Sequence, residues 1–455
     1  MPRLTVAHVA DVCGGSVAGD AAAVAHGVVA DSREVTGGLA FAAVRGGAAY
    51  VGDAFAAGAP IVIASSPHEA PAGAAVVVVD DVVGALGCLA ADVRSRLRAR
   101  VVGITGSTGK TLTKDFLAAA LGAMERSDSD RLAVHATPRS FNAELGVPLV
   151  VLTCPDDADV LVVELGARHP GEVADLARMV RPDVGVITGI GISHLSEFGS
   201  RHAIARTKCE LLGALPAGGD ALVPSDDDYL ALMSDTSAAR MTTVGPGGHI
   251  SYRATMVDAD GRTHGSIGSG DEVVDVTLPV AGRGLMRNAA LAVAAAGRLG
   301  VAIHVSVARI SRTRTSLWRM QIVEMCGLVV VNDAWNANPT STSSALRTVA
   351  ELTRGRERWA VLGTMAELGP LGPDAHRRVG RLARALGFTG VVTVGDEATG
   401  IAAGAGPVAV VAGDADEAAD IVARRASPGA WVLVKASRVV GLERFPDKLA
   451  ARVGV

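Results

Sequence analysis

The chain has 455 residues, 49% of them hydrophobic, and a formal net charge of −4, so its length suggests about three domains and its charge argues against a nucleic-acid-binding surface. It holds no uninterrupted apolar stretch long enough to cross a bilayer, and its start, Met1-Pro2-Arg3-Leu4-Thr5, lacks the charged-then-apolar pattern of a signal peptide. Five scattered cysteines (13, 88, 154, 209, 326) show neither a disulfide framework nor zinc spacing; the expectation is a soluble, cytoplasmic protein with no membrane or nucleic-acid partner.

Up to about residue 95, short strand candidates at 27–31, 39–44 and 60–64 alternate with alanine-rich helical stretches, the pattern of a small α/β domain. Residues 86–98 read as a helix with a basic last turn, a link to the next domain. From Val101 the pattern becomes strand, loop and helix in repeated units, with a helix-like stretch at 114–121. The segments 159–163 and 183–188 are apolar on both faces, as strands inside a parallel sheet are. Residues 249–280 alternate in polarity around Gly-Arg and Gly-Ser turns, which predicts a few antiparallel strands, and 288–299 is an alanine-rich helix. Strand candidates at 327–332, 359–362, 391–394, 408–411 and 431–434 imply a second doubly wound sheet beginning near Thr315. The expected fold is α/β in three domains: a small α/β domain (1–97), a central P-loop parallel-sheet ATPase domain (98–314) and a C-terminal Rossmann-like domain (315–455).

The most informative stretch is Gly103-Ile104-Thr105-Gly106-Ser107-Thr108-Gly109-Lys110-Thr111, between a β-branched run and a helix. In that order these elements make an anion cradle of backbone N–H groups, with the helix dipole behind it. Lys110 would reach the terminal phosphates and Thr111 would ligate Mg²⁺; the spelling departs from the usual one because Ile104 stands where the first glycine belongs. The chain has 43 basic residues yet only five lysines (110, 114, 208, 435, 448), which favours lysine where a point charge or a titratable amine is needed.

Three further features fall at strand ends, where open α/β sheets present their chemistry. Glu164 follows a buried strand, either as an oxygen ligand for a phosphate-bound cation or as a solvated strand-end carboxylate. His194 ends a glycine-punctuated loop, and a lone histidine is weak evidence for a metal. On a helix at 203–212, Lys208 has Ile204 and Leu212 one turn away, which makes it either a desolvated lysine of lowered pKa or a snorkelling one.

Together these motifs resemble the Mur ligase family. The resemblance rests on residues 105–111, 140–149 (beginning Ser140-Phe141-Asn142-Ala143-Glu144), Glu164-Leu165-Gly166-Ala167, Ser193-His194-Leu195, 197–200, Lys208-Cys209-Glu210, Asn332-Asp333-Ala334-Trp335-Asn336-Ala337-Asn338-Pro339 and Lys435-Ala436-Ser437-Arg438. It spans residues 101 to about 445 in the family's order, and Asn336-Ala337-Asn338-Pro339 with Glu367-Leu368-Gly369 points to the branch that adds D-Ala-D-Ala to a UDP-muramoyl tripeptide. The resemblance implies an ATP-dependent amide-forming reaction through an acyl phosphate, with two Mg²⁺ ions. It assigns Gly106, Ser107, Thr108, Gly109, Lys110 and Thr111 to the ATP phosphates, Asn288 to the adenine, and Arg319 and Asp333 to ATP contacts made when the C-terminal domain closes. The catalytic set it implies is Lys110, Glu164, His194 and Lys208, and the metal ligands are Thr111, Glu164, His194 and Lys208, the last as a CO₂-derived carbamate. Ser32, Arg33 and Asn142 match substrate-binding positions for a UDP-linked sugar-peptide, with residues 1–97 as the domain that seats it. Asn336 and Asn338 shape the site of the incoming dipeptide or amino-acid amine, or else form a polar turn before a helix starting near Pro339. Lys435 and Ser437 follow the last strand toward the cleft, and Arg438 is equally a surface ion-pair residue.

The departures from the family pattern concern the carboxylate substrate. The stretch Arg45-Gly46-Gly47-Ala48-Ala49-Tyr50-Val51-Gly52-Asp53 is short and lacks an Asp-Gly-His element, Ala143 stands for a second asparagine, and Gly284 for a histidine. A ligase of specialised metabolism acting on another carboxylate and amine is therefore the competing expectation. A non-catalytic nucleotide-binding relative would break the phosphate loop or lose Lys208, and neither is seen. The active unit is expected to be a monomer.

Overall fold

The computed structural model describes residues 1–123, 132–138, 141–313 and 316–453, so Ser140 and the boundary expected at 314/315 lie outside the described residues. Near the N-terminus, five strands run in the order Ser16–Gly19, Ala75–Val78, Ile61–Ala64, Ala40–Ala42 and Val28–Val29, all parallel except the first pair. The helix after them starts at Val82 rather than residue 86, because the Asp81 carboxylate accepts the Val83 N–H at 2.9 Å and caps it. Its buried positions Leu86, Leu89, Ala90 and Val93 fall at helical spacing and face the core shared with the central sheet.

Among the described residues the central sheet has nine strands, in the order Glu272–Leu278, Thr263–Ser269, Ile250–Val257, Arg240–Val244, Asp220–Pro224, Val184–Ile187, Arg100–Thr105, Val160–Glu164 and Val134–Ala136. The last six are mutually parallel, and the first three form the expected antiparallel hairpins, joined to the rest where Val244 pairs with Ile250. Register then decides the chemistry. Glu164 lies beside Ile104, and Ile187 beside Thr105, so the loops leaving three adjacent strands open at one edge.

The C-terminal sheet has six strands among the described residues, in the order Gln321–Met325, Leu328–Asn332, Trp431–Lys435, Arg358–Gly363, Gly390–Val394 and Ala409–Ala412. Five were expected; the addition is the antiparallel edge strand Gln321–Met325. Its hairpin turns through Cys326 (φ 52°) and Gly327 (φ 71°), the two left-handed positions of a tight primed turn, without the Asn-Gly or Asp-Gly spelling that usually marks one. Among the described residues no helix is long and apolar enough to cross a membrane.

Candidate active site

The phosphate loop connects the strand Arg100–Thr105 to the helix Lys110–Ala120, which begins at Lys110 and not four residues later. Gly106 (φ 140°) and Gly109 (φ 86°) occupy backbone conformations that side chains avoid. A Cβ on Gly106 would overlap the Thr188 hydroxyl, and one on Gly109 the Asn288 amide. Those neighbours brace the loop. The Thr188 hydroxyl donates to Thr108 O at 2.5 Å, Ser107 N donates to Gly189 O at 3.0 Å, and the Ser107 hydroxyl donates to Gly191 O at 3.2 Å. Asn288 lies in the same cavity as the loop, but its amide is donated to Gly109 O at 3.2 Å and Thr113 Oγ1 at 2.9 Å. It holds the start of the helix in place. Lys110 folds back on its own loop, with Nζ 2.8 Å from Gly106 O.

Beside the loop, Thr111 donates its hydroxyl to Glu164 Oε2 at 3.2 Å and receives Arg319 Nη2 at 2.7 Å. Asn142 Nδ2 adds a long contact of 3.5 Å to Glu164 Oε2. The other carboxylate oxygen, Glu164 Oε1, is buried without a hydrogen-bond partner among the described residues. Burial pushes the Glu164 pKa up, against the pull of Lys114, Lys110 and Arg319. Burial also holds Lys110 and Arg319 below their usual values; Glu164 opposes this at both, and the charge of Arg319 lowers Lys110 further. An orphaned carboxylate oxygen beside the Thr111 hydroxyl suits a hard cation, which takes oxygen ligands. Cations crowded around one buried carboxylate suit a polyanion.

Lys208 is buried at 1% exposure on the helix Arg201–Gly213, its ammonium 5.6 Å from the centre of the Phe198 ring. Burial, and then the charge of Lys110, bring its pKa down to about 7, with Glu210 and Glu172 opposing. Glu210 is itself engaged, accepting Gly171 N at 2.8 Å and Ala174 N at 3.0 Å. His194 (φ 53°) hydrogen-bonds through Nδ1 to Glu367 Oε2, and burial lowers its pKa although Glu367 opposes this. Among the described residues no three His, Cys, Asp or Glu side chains are grouped as a metal site.

From the C-terminal sheet, Asp333 accepts Lys435 Nζ at 2.6 Å, and Lys435 also donates to Asn336 O at 2.8 Å. Asn336 uses its own Oδ1 to accept Ala337 N at 2.8 Å. Asn338 is the N-cap of the helix Pro339–Leu352, its Oδ1 accepting Ser341 N at 2.9 Å in a reciprocal capping box, so the turn-and-helix alternative describes its side-chain oxygen. Ser437 is buried, donating to Ala337 O at 3.3 Å and accepting Ala366 N at 2.9 Å. Arg438 forms an ion pair with Glu443 at 2.8 Å and lies over Trp318, 4.8 Å from its ring centre.

Two cavities meet at Asn142, which lines both. One, of about 410 Å³, is walled by the phosphate loop, Arg319, Asp333, Trp335 and Lys435. Gly284, Tyr252 and Arg287 also line it. Tyr252 and Arg287 were missed by sequence reasoning; the adjacency of Arg287 to Asn288 was the available signal. The other cavity, of about 380 Å³, lies between the strand Val28–Val29 and the helix Gly146–Leu152, and Ala143 is part of its wall. Its N-terminal wall presents Asp31 and Glu34, not Ser32 and Arg33. The reason is local: Asp31 caps the turn Ser32–Glu34 and holds Arg33 at 2.6 Å, leaving that side chain 87% exposed.

Sheet order, the phosphate loop and a second α/β unit facing it define a P-loop nucleotide-binding architecture. The chain matches the family model of the Mur ligase middle domain over residues 104–296 and that of the Mur ligase, glutamate ligase domain over residues 318–438. It is 36% identical to the UDP-N-acetylmuramoyl-tripeptide--D-alanyl-D-alanine ligase of Mycobacterium tuberculosis, over 99% of this chain and 98% of that relative. Among solved structures it is similar to MurF from Acinetobacter baumannii (TM-score 0.85, 27% identity, 99% of each chain). It is also similar to MurF ligase from Thermotoga maritima in complex with ADP (TM-score 0.79, 27% identity, 94% of this chain and 98% of that one). The chain belongs to the Mur ligase family.

Proposed function

We propose that this chain is an ATP-dependent ligase that joins D-Ala-D-Ala to UDP-N-acetylmuramoyl tripeptide, the activity by which its relatives are named. The observation that carries this reading is the reach of Arg319 to Thr111, at 2.7 Å, across a cavity walled by both the phosphate loop and the C-terminal sheet. In this reading residues 1–97 seat the nucleotide sugar, 98–314 hold ATP and 315–455 bring the amine, all within one chain acting as a monomer in the cytoplasm.

The substrate carboxylate attacks the γ-phosphorus of ATP, giving an acyl phosphate and ADP. The amine then attacks the acyl carbon, the amide forms, and phosphate leaves with the electron pair of the broken C–O bond. Backbone N–H groups of 106–109 and the ammonium of Lys110 hold the phosphates, while Arg319, already at the loop, neutralises charge that moves onto the leaving oxygen. Asp333 and Lys435 fix each other at 2.6 Å and so hold the C-terminal wall of the cleft. Asn142, common to both cavities, stands where the substrate carboxylate would pass from one to the other. Mg²⁺, held by Thr111 and Glu164 and as a second ion by His194 and a carbamate on Lys208, would supply further charge neutralisation. The amine of Lys208, with its pKa near 7, is suited to react with CO₂ where an exposed lysine is not.

Phosphate release by the purified protein, measured with UDP-muramoyl tripeptide and D-Ala-D-Ala, tests the reading. Turnover that needs both substrates is the expected result. Turnover only with other carboxylates or amines would transfer the same chemistry to a specialised-metabolite ligase, the alternative favoured by Ala143 in the cavity wall.

A further inference from the structure

His194 and Glu367 stand 173 positions apart, one beside the central sheet and one in the loop after the strand Arg358–Gly363, yet Nδ1 and Oε2 are hydrogen-bonded. The surrounding backbone fixes the meeting. Ser196 N donates to Glu367 O at 3.2 Å, and a Cβ on Gly369 would come within 3.3 Å of Ser196 Cα, so the two loops are in near contact. Both partners adopt left-handed backbone (His194 φ 53°, Glu367 φ 63°), a conformation that non-glycine residues keep only where their neighbours impose it. Arg168 Nε engages the second oxygen, Glu367 Oε1, at 3.5 Å.

An ionised carboxylate only accepts hydrogen bonds. The proton of a neutral His194 ring therefore belongs on Nδ1, and the lone pair is left on Nε2. A histidine held in this way is fixed as a cation ligand, and such carboxylates tune both the orientation and the basicity of the ring.

We propose that Glu367 is a positioning residue, delivered by the C-terminal sheet, that fixes His194 as an Nε2 donor and so couples binding of the second cation to closure of the cleft. This rests on the reading of His194 as a ligand given above. It gives the Glu367-Leu368-Gly369 block a role at the metal rather than at the amine.

Mn²⁺ titration followed by electron paramagnetic resonance, with a non-hydrolysable ATP analogue and bicarbonate present, counts bound ions and their affinities without turnover. Wild-type protein is expected to bind a tight and a weaker ion, and His194→Ala to lose the weaker one. Glu367→Ala should keep the tight ion and bind the weaker one about 10–100-fold less well, with Glu367→Gln, which still accepts from Nδ1, in between. Arg168→Ala, which removes the other ion pair and leaves the ring's partner, should bind both ions as wild type does. Wild-type ion binding by Glu367→Ala, alongside loss of an ion in His194→Ala, would overturn the proposal and leave the ligand reading standing. Equal weakening in Arg168→Ala would also overturn it, by reducing Glu367 to a mechanical latch. Retention of both ions by His194→Ala would instead remove the ligand reading, and the proposal with it.

Discussion

Arg319 Nη2 lies 2.7 Å from Thr111 Oγ1, although the two residues are 208 positions apart. Thr111 is the first helical residue after Lys110, and Arg319 lies just before the edge strand of the C-terminal sheet, so the contact links the loop to that sheet. Thr111 passes the contact on to Glu164 at 3.2 Å. Replacing Arg319 by Ala is expected to lower kcat by about 10²–10³-fold, the usual effect of removing one donor from developing charge. Arg319→Lys should recover little, since an ammonium cannot reproduce the planar fork. Steady-state phosphate release checks both, and a wild-type kcat in either variant would contradict the role.

Lys208 gives a pH dependence of definite sign. Its pKa falls from the usual 10.5 to about 7 in the folded protein, so between those values the unfolded chain binds more protons and stability rises with pH. Below about pH 7 both states are protonated and the whole cost of the buried charge remains. In CO₂-free buffer, Lys208→Met should therefore be more stable than wild type below about pH 7, with the advantage fading as pH rises through the window to 10.5. Denaturant midpoints measured across that range test this. In activity assays Lys208→Arg, whose side chain stays charged, should lose most turnover, and wild-type activity should drop when bicarbonate is depleted.

Gly109→Ala tests the loop. Its φ of 86° is left-handed, and the added methyl would overlap the Asn288 amide that holds the start of the helix. Left-handed backbone alone costs about 1–2 kcal/mol in a residue with a Cβ. Calorimetry should show weakened ATP binding together with a lower Tm. Unchanged nucleotide affinity would separate the loop from ATP.

Asn338→Ala distinguishes a helix cap from an amine contact. Loss of the cap on Pro339–Leu352 should cost about 1 kcal/mol of stability, with KM for the amine changed by no more than about twofold. A tenfold rise in KM with unchanged Tm would return Asn338 to the amine site.

Much of the architecture was legible because its signals are local. The runs 160–163 and 184–187 are apolar throughout or nearly so, Lys110 and Thr111 open a helix directly after a glycine-rich loop, and Glu164 ends a strand. The helix environment of Lys208 was legible from Ile204 and Leu212 one turn away, both fully buried. What escaped depends on how sheets dock. Nothing near Glu367 in sequence says that it meets His194, and nothing near Arg319 says that it meets Thr111. The local bonding of Arg33 and Asn338 was hidden for the opposite reason. Their side chains, or those of neighbours such as Asp31, are occupied by turns and caps a few residues away, a competition that residue type alone does not resolve.

The account stands on a substrate carboxylate being energised by ATP at the loop 106–111. Turnover of UDP-muramoyl tripeptide whose reacting carboxylate carries heavy oxygen, followed by mass analysis of the released phosphate, tests this most directly. Transfer of one heavy oxygen into phosphate, in proportion to amide formed, is the result expected. Amide formation with unlabelled phosphate would contradict it.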